Sequence, residues 1–307
     1  MPDLQVLSWT HDRNDAGPGG PRGWGDTLAR IAARLGGRVR WRPEGSPARG
    51  AAILAWHPEP KALAAALLTR RLTYLCWGLA ERPANAAARS RRLMLRLIVR
   101  NARRVVCNDA VTRDRLSRAF GVTAAALPHS VDTDWFAGGD APARPEVLVP
   151  GSNDRDETLV RELALGGIPV IRVTQEPKVA AWHAANPAPG LTVMTDIPFP
   201  ELRALYKGCR AVLLPLRETD HAAGQTAALE AIAAGPRGGL LISEGFTSTI
   251  VGTYGGVTVM QAGATAGDWA ARIAALPETP LPRAPEIDRH APDAVADAFA
   301  ALMRDGG

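Results

Sequence analysis

Short apolar runs alternate along the chain with stretches whose apolar residues recur every three to four positions. Residues 4–9 read as a first strand. Leu28, Ile31, Ala32 and Leu35 then follow helical spacing, and Gly36-Gly37 ends that helix. Further strands are predicted at 39–41, 52–56 and 72–76. A basic helix over 89–103 leads into a strand at 104–107. The next helix takes Asn108 or Asp109 as its cap and stops at Gly121. Residues 137–145 (AGGDAPARP) make the best linker candidate. After them the alternation restarts, with strands at 147–149, 170–173, 191–194, 211–214 and 240–242. Helices fall between several of these, at 156–165, 200–206 and 225–234. A last amphipathic helix covers 291–303. Alternation on both sides of one linker predicts an α/β fold of two parallel-sheet domains with helices on both faces. The expected division is 1–140, 141–290 and a C-terminal helix within 291–307 that packs back across the domain junction. Ligands of such sheets sit beyond the carboxyl ends of the strands.

A chain of 307 residues suits two medium domains. At 46% hydrophobic it has ample material for two cores. No apolar run reaches the roughly 20 residues of a spanning helix. The start, Met1-Pro2-Asp3-Leu4, lacks the basic-then-apolar order of a signal peptide. Cys76, Cys107 and Cys209 are too scattered for a disulfide framework or a zinc spacing, which fits a reducing cytoplasm. The net charge of +5 favours anionic partners without choosing among them. The scarcity of lysine beside arginine is also what a GC-rich genome produces.

The most informative stretch is LLPLRETDHAAGQTAALEAIAAG, residues 213–235. A buried strand ends at Pro215, a polar loop follows, and Ala223, Gly224, Gln225 and Thr226 open a helix. First-turn N–H groups, the positive end of the helix dipole and a glycine that admits close approach together make a phosphate cradle. Glu230 lies five residues on, about 7.5 Å of helix rise. Its side chain leans back toward the helix start. A sugar hydroxyl attached to a phosphate held there, ribose above all, is within its reach. An ordinary strand-loop-helix unit with a surface glutamate is the competing reading.

This segment resembles the C-terminal signature of the group-one retaining glycosyltransferases with the GT-B fold: two Rossmann-like domains facing each other across a cleft. The family's Glu-Ala-Met-Ala-x-Gly is here Glu230-Ala231-Ile232-Ala233-Ala234-Gly235. The resemblance implies that Glu230 holds the donor ribose. A second acid usually stands eight positions earlier, where this chain has Ala222; Asp220, His221 or Glu218 is left to meet the transferred sugar. Residues 108–136, with Pro128, Val131, Asp132 and Phe136, are similar to the family's end of the first domain. Residues 196–206 (DIPFPELRALY) are similar to the segment that meets the nucleobase, which implies a base near Ile197. The loop Gly151-Ser152-Asn153-Asp154-Arg155-Asp156 stands where the family carries a basic pair for the diphosphate. Arg155 either supplies one charge or pairs with Asp154 or Asp156. Lys178 and Arg172 are the candidates for a second charge.

In the first domain, residues 17–25 (GPGGPRGWG) fit the family's glycine-rich loop. Gly19, Gly20 and Gly25 there either admit donor phosphate or acceptor, or belong to a plain flexible loop. His57 follows a strand where family members often carry a histidine near the reacting sugar. Trp77 replaces a commoner histidine, and either stacks on a sugar or base face or packs in the core. Arg92, Arg96 and Arg100 line one stripe of the basic helix; anionic lipid, a nucleic-acid backbone and plain solvation are all open.

The reading is therefore a glycosyltransferase that moves a sugar from a nucleoside diphosphate sugar to an unidentified acceptor: a glycan, a lipid-linked or small molecule, or a nucleic acid. The resemblance implies retention of configuration. No cofactor and no metal are expected, and the expected location is the cytoplasm, with peripheral contact at the inner membrane face as an option. The other readings are a non-catalytic nucleotide-sugar-binding or partner-binding protein on the same fold, and a sugar transferase acting on DNA.

Overall fold

A computed structural model describes residues 4–7, 20–41, 52–55, 58–79, 85–152, 154–219, 221–277 and 282–304. They fall into two compact units. The first gathers β1 (Leu4–Val6), the stretch Arg22–Ser130 and the chain from Arg289 on; the second is built on Val131–Asp288. The glycine- and proline-rich stretch 137–145 lies inside the second unit, not between the two. There Lys207 Nζ donates to the Ala137 carbonyl at 2.6 Å, and the Arg144 N–H to the Gly208 carbonyl at 2.9 Å.

The first unit runs β1, α1 (Trp24–Arg34), β2 (Val39–Trp41), β3 (Ala52–Ala55), α2 (Pro60–Thr69), β4 (Leu72–Cys76), α3 (Ala86–Asn101), β5 (Arg104–Cys107), α4 (Ala110–Phe120) and β6 (Ala125–Ala126). Its strands pair in parallel in the order β2-β1-β3-β4-β5-β6. The caps are those the sequence predicts. Asp109 accepts the Thr112 N–H, and Gly121 turns left-handed at φ 65° to end α4. One face of the sheet is covered by α2, α3 and α4, through Ala62, Ala65, Leu95, Ile98 and Leu116. The other face is covered by α1 and by α12 (Pro292–Arg304), the last element of the chain, through Leu28, Ile31, Ala296 and Phe299.

The second unit begins with α5 (Thr133–Ala137). It then alternates β7 (Val147–Pro150), α6 (Glu157–Leu165), β8 (Val170–Val173), α7 (Pro177–Ala185), β9 (Leu191–Met194), α8 (Phe199–Gly208), β10 (Ala211–Leu214) and α9 (Gln225–Ala234). It closes with β11 (Leu240–Ser243), α10 (Phe246–Val251), β12 (Val257–Met260) and α11 (Ala266–Ala274). All pairings are parallel, in the order β12-β11-β10-β7-β8-β9. The chain builds outward from β7 on one side, then returns to build from β10 on the other. The carboxyl ends of β7 and β10 therefore flank the switch point, where open sheets of this type hold ligands.

Two side-chain systems stabilise the junctions within units. In the first, the His290 ring donates through Nδ1 to the His129 carbonyl at 2.7 Å. This ties the departing strand of chain at 130 to the returning one at 289. Burial pushes both imidazoles down, His129 to about 3 and His290 to about 4, so both are neutral at pH 7. In the second unit, Arg172 stands in the middle of β8, fully buried. It forks onto Glu157, with Nη2 to Oε1 at 2.6 Å and Nε to Oε2 at 3.0 Å.

α12 joins α1 both by apolar contact and by a charged rim of Arg30, Arg34, Asp293 and Asp297. The rim is exposed, and such pairs contribute about 0–1 kcal/mol each. A buried phenylalanine carries about 3–5 kcal/mol. Phe299→Ala is therefore expected to lower unfolding free energy by about 3–5 kcal/mol in urea titration, and Asp293→Asn by less than about 1.

Candidate functional site

At the switch point the loops after β7 and β10 are zipped together by backbone hydrogen bonds. The Asp156 N–H donates to the Pro215 carbonyl at 2.7 Å, and the Arg217 N–H to the Asp154 carbonyl at 2.9 Å. Arg155 and Leu216 form an antiparallel bridge between them. Asp156 caps α6 through the Thr158 and Leu159 N–H groups, which fixes the far side of the loop. Asp154 takes the left-handed conformation at φ 58° and meets His221 at 3.2 Å, Oδ2 to Nε2. The predicted site residues Gly151, Arg155, His221 and Gly224 are thereby brought to one place.

Arg155 folds back beneath this place. It is almost fully buried and donates from Nε and Nη2 to the Pro150 carbonyl, at 3.0 and 2.7 Å. Burial first, and the neighbouring Arg172 second, lower its pKa to about 10, so it stays cationic at neutral pH. Its guanidinium lies directly against two glycines. A β-carbon on Gly224 would meet Nη1 at 3.2 Å, and one on Gly151 would collide with Nη2. Both glycines have positive φ, 97° at Gly151 and 72° at Gly224. The two positions are thus glycine for two reasons, conformation and space.

Gly224 is the N-cap of α9 and has no side chain of its own to cap the helix. Its first-turn N–H groups and dipole end face the same place as the buried arginine. Ala223 and Gln225 are buried and Thr226 is exposed; the Ala223 carbonyl accepts from Thr247 Oγ1, which ties α10 to the start of α9. Glu230, half-buried on α9, accepts a hydrogen bond from the Tyr206 hydroxyl at 2.8 Å. Burial raises the Glu230 carboxyl to about 7, against the opposing pull of Tyr206. Ile197 follows Asp196, which is left-handed at φ 52°, and packs its side chain against the core that contains α9. Its backbone stands at the loop between β9 and α8.

Three features were not foreseen from sequence. Tyr206, on α8, is what positions Glu230. The Arg172–Glu157 pair extends to His183, whose Nε2 lies 2.8 Å from Glu157 Oε2. Arg172 also donates to the Val149 and Gly151 carbonyls, and so fixes the end of β7. Arg172 is therefore spent inside the protein and is no second charge for a ligand. A charged residue inside the apolar strand Val-Ile-Arg-Val was the available signal. The Asp154–His221 pair is the third feature, and nothing in the spacing of 154 and 221 announces it.

His57, Asp220 and Gly19 lie outside the described residues. Gly20 precedes α1, and Gly25 is already inside that helix, so it belongs to no loop. Trp77 is edge-on to Trp24, with centroids 4.9 Å apart, and to His129 at 5.4 Å. It packs against the core beneath α12, which is the packing alternative of the two. On α3, Arg92 lies over the Phe120 ring at 5.4 Å, off the outer stripe, whereas Arg96 and Arg100 are exposed, Arg100 with its Nε on the Phe120 carbonyl at 3.2 Å.

No family model matches the sequence, and no curated protein matches it. Solved structures do. The sucrose-phosphate synthase of Thermosynechococcus elongatus superposes with a TM-score of 0.67 at 13% identity, over 99% of this chain and 98% of that one. AviGT4, a glycosyltransferase involved in avilamycin A biosynthesis, gives 0.61 at 14% identity, over 99% and 97%. An α,α-trehalose-phosphate synthase (UDP-forming) of Burkholderia vietnamiensis gives 0.61 at 14%, over 91% and 75%. The fold is the two-domain, Rossmann-like GT-B fold.

The Gly151–Arg155 contact is directly testable. Gly151→Ala forces both a strained φ and a collision with Arg155, at an expected cost of about 1–3 kcal/mol in urea unfolding. Gly121→Ala, also left-handed but facing open space, is expected at about 1 kcal/mol, the conformational term alone.

Proposed function

We propose that the protein is a glycosyltransferase that takes its sugar from a nucleoside diphosphate sugar. The observation that carries this reading is the convergence of the glycine-capped start of α9 and the buried Arg155 guanidinium on two glycines at the switch point, with Glu230 further along the same helix. A diphosphate fits a place where helix-end N–H groups and a cation meet with no β-carbon in the way. Glu230, oriented by Tyr206 through one oxygen, accepts the ribose hydroxyls with the other. The base lies against the backbone near Ile197. The structural neighbours, themselves sugar transferases, support the same reading.

In the proposed reaction the bond between the sugar and the β-phosphate breaks, and the acceptor oxygen bonds to the same carbon with retention of configuration. The charge that grows on the leaving diphosphate is stabilised by the α9 dipole and Arg155. The acceptor proton passes to the departing phosphate oxygen, so no protein carboxylate is needed as base. His221, exposed at the mouth of this loop and oriented by Asp154, is the proposed contact to the sugar. No metal is required in this scheme, since fixed dipoles and a guanidinium carry its charge. The reading extends to peripheral membrane contact through Arg96 and Arg100. Ala222, at the position of the usual acid, favours one second reading: a nucleotide-sugar binder without turnover.

A thermal-shift screen with UDP, GDP, ADP, dTDP and their sugars is expected to give a stabilising shift with one base series, lost in Glu230→Ala. A full shift in that variant would overturn the assignment. Because the carboxylate is the better acceptor and its pKa is raised to about 7, donor affinity is expected to rise from about pH 6 to about pH 8. Glu230→Gln should flatten that rise.

Turnover separates the two readings. Release of nucleoside diphosphate from the stabilising sugar donor, with sugar phosphates, glycans and lipid-linked acceptors offered in turn and EDTA present throughout, is expected for the transferase. Tight donor binding with no release on any acceptor supports the binder. Release only after metal is restored would refute the metal-free scheme.

A further inference from the structure

Among the described residues seven large apolar side chains are exposed, and four of them sit on α2 and α3: Leu67, Leu68, Leu93 and Leu97. The two helices pack on each other and bury their inner sides in one core on the same face of the first sheet. Their outer sides therefore look the same way. On α3 the buried side is Leu95, Ile98 and Val99. With about 100° of turn per residue, the opposite crest belongs to Leu93 and Leu97. Arg89 and Arg96 stand beside them on that outer side, both exposed; Arg100, also exposed, is held by a hydrogen bond from its Nε to the Phe120 carbonyl at 3.2 Å. At the end of α2, Leu68 is 83% exposed and is followed by the exposed Arg70 and Arg71. Neither helix contains an aspartate or a glutamate.

A surface helix of a soluble domain turns polar residues outward. Here leucines hold the crest and guanidiniums flank it. Arginine stems are long enough to lie along an apolar layer while the head stays at its polar edge. A nucleic-acid backbone would engage the arginines but gives no favourable place to four leucines. A second copy of this chain would bring the same all-positive face and be repelled. An anionic bilayer interface accommodates both sets at once, with apolar side chains at the acyl boundary and cations among the headgroups. Among the described residues no helix is long and apolar enough to cross a membrane.

We propose that α2 and α3 form a docking face for an anionic lipid surface, with Leu67, Leu68, Leu93 and Leu97 inserted and the flanking arginines on the headgroups. The proposal deepens the peripheral-contact reading above and is independent of the donor site. It also redraws the stripe read from sequence: Arg92 leaves it for the Phe120 ring, and Arg89 joins.

The test is co-sedimentation with phosphatidylcholine vesicles that contain about one third phosphatidylglycerol, and with pure phosphatidylcholine vesicles, at about 0.1 M salt. The expected result is partition onto the anionic vesicles at least about tenfold stronger than onto the neutral ones. The quadruple variant Leu67→Ser, Leu68→Ser, Leu93→Ser, Leu97→Ser replaces exposed side chains only. It is expected to lose about tenfold or more while it keeps its circular dichroism and its donor-induced thermal shift. Arg89→Glu with Arg96→Glu should lose as much. Failure of the wild type to sediment with anionic vesicles would overturn the proposal. So would a leucine variant that binds like wild type, or arginine-dependent binding to duplex DNA that the leucines do not affect. The donor shift, read in the same samples, shows whether the nucleotide assignment fails separately.

Discussion

The second unit is organised around one buried ion pair. Arg172 enters the sheet from the middle of β8, and a guanidinium there is tolerable only because Glu157 forks onto it and three carbonyls gather around its Nη1. Two of those carbonyls, of Val149 and Gly151, belong to the end of β7. The pair therefore does more than satisfy itself. It fixes the point at which β7 gives way to the loop, and hence where Gly151 and the buried Arg155 come to rest. Glu157 is held strongly ionised, at about 2, by His183 and Arg172 against the cost of its burial. Replacing the group with apolar residues of similar volume need not weaken the fold. It would release the loop. The ion pair is best understood as a device for placement.

The same logic runs outward from it. Arg172 braces the β7 end and Asp156 caps α6. The two loops exchange backbone hydrogen bonds, and the glycine at the start of α9 closes over Arg155. Each step constrains the next by sterics and hydrogen bonding. A donor phosphate would enter a site whose cation and dipole are already in position, which is the condition for electrostatic stabilisation without reorganisation. Glu230 is set by a separate route, through Tyr206 on α8.

Much of this was legible in the sequence, and the exceptions have physical reasons. Strands buried on both faces read as apolar runs, so 72–76, 104–107, 170–173 and 211–214 coincide with the observed strands, and the partly exposed edge strands 39–41 and 191–194 coincide as well. α9 was placed to the residue by its glycines at both ends. α2 and α7 carry no helical period in the sequence, because Ala and Leu surround α2 on every side and small alanines are spread around α7. The stretch 137–145 has the composition of a linker yet is held against α8 by carbonyl contacts that composition does not show. At the site, glycines, Arg155 and Glu230 announced themselves by residue type. Tyr206 lay inside a quoted motif without a role, because its partner is 24 positions away. The pairing of Asp154 with His221 spans 67 residues and depends wholly on the order of the strands.

The first unit is discontinuous in the chain, and this bears on how the protein is made. Its sheet and α1 are complete by residue 130, but the helix that covers Leu28 and Ile31 does not begin until Pro292. The second unit is built almost wholly from Val131–Asp288, synthesised in between. On the ribosome the earlier-made unit must therefore wait with an apolar face uncovered while the later-made one folds to completion. The last turns of α12 to leave the exit tunnel are the ones that end this exposure. Chaperone demand during synthesis should concentrate on the amino-terminal half, and a chain released after residue 291 should hold a native second unit and a first unit with one sheet face uncovered.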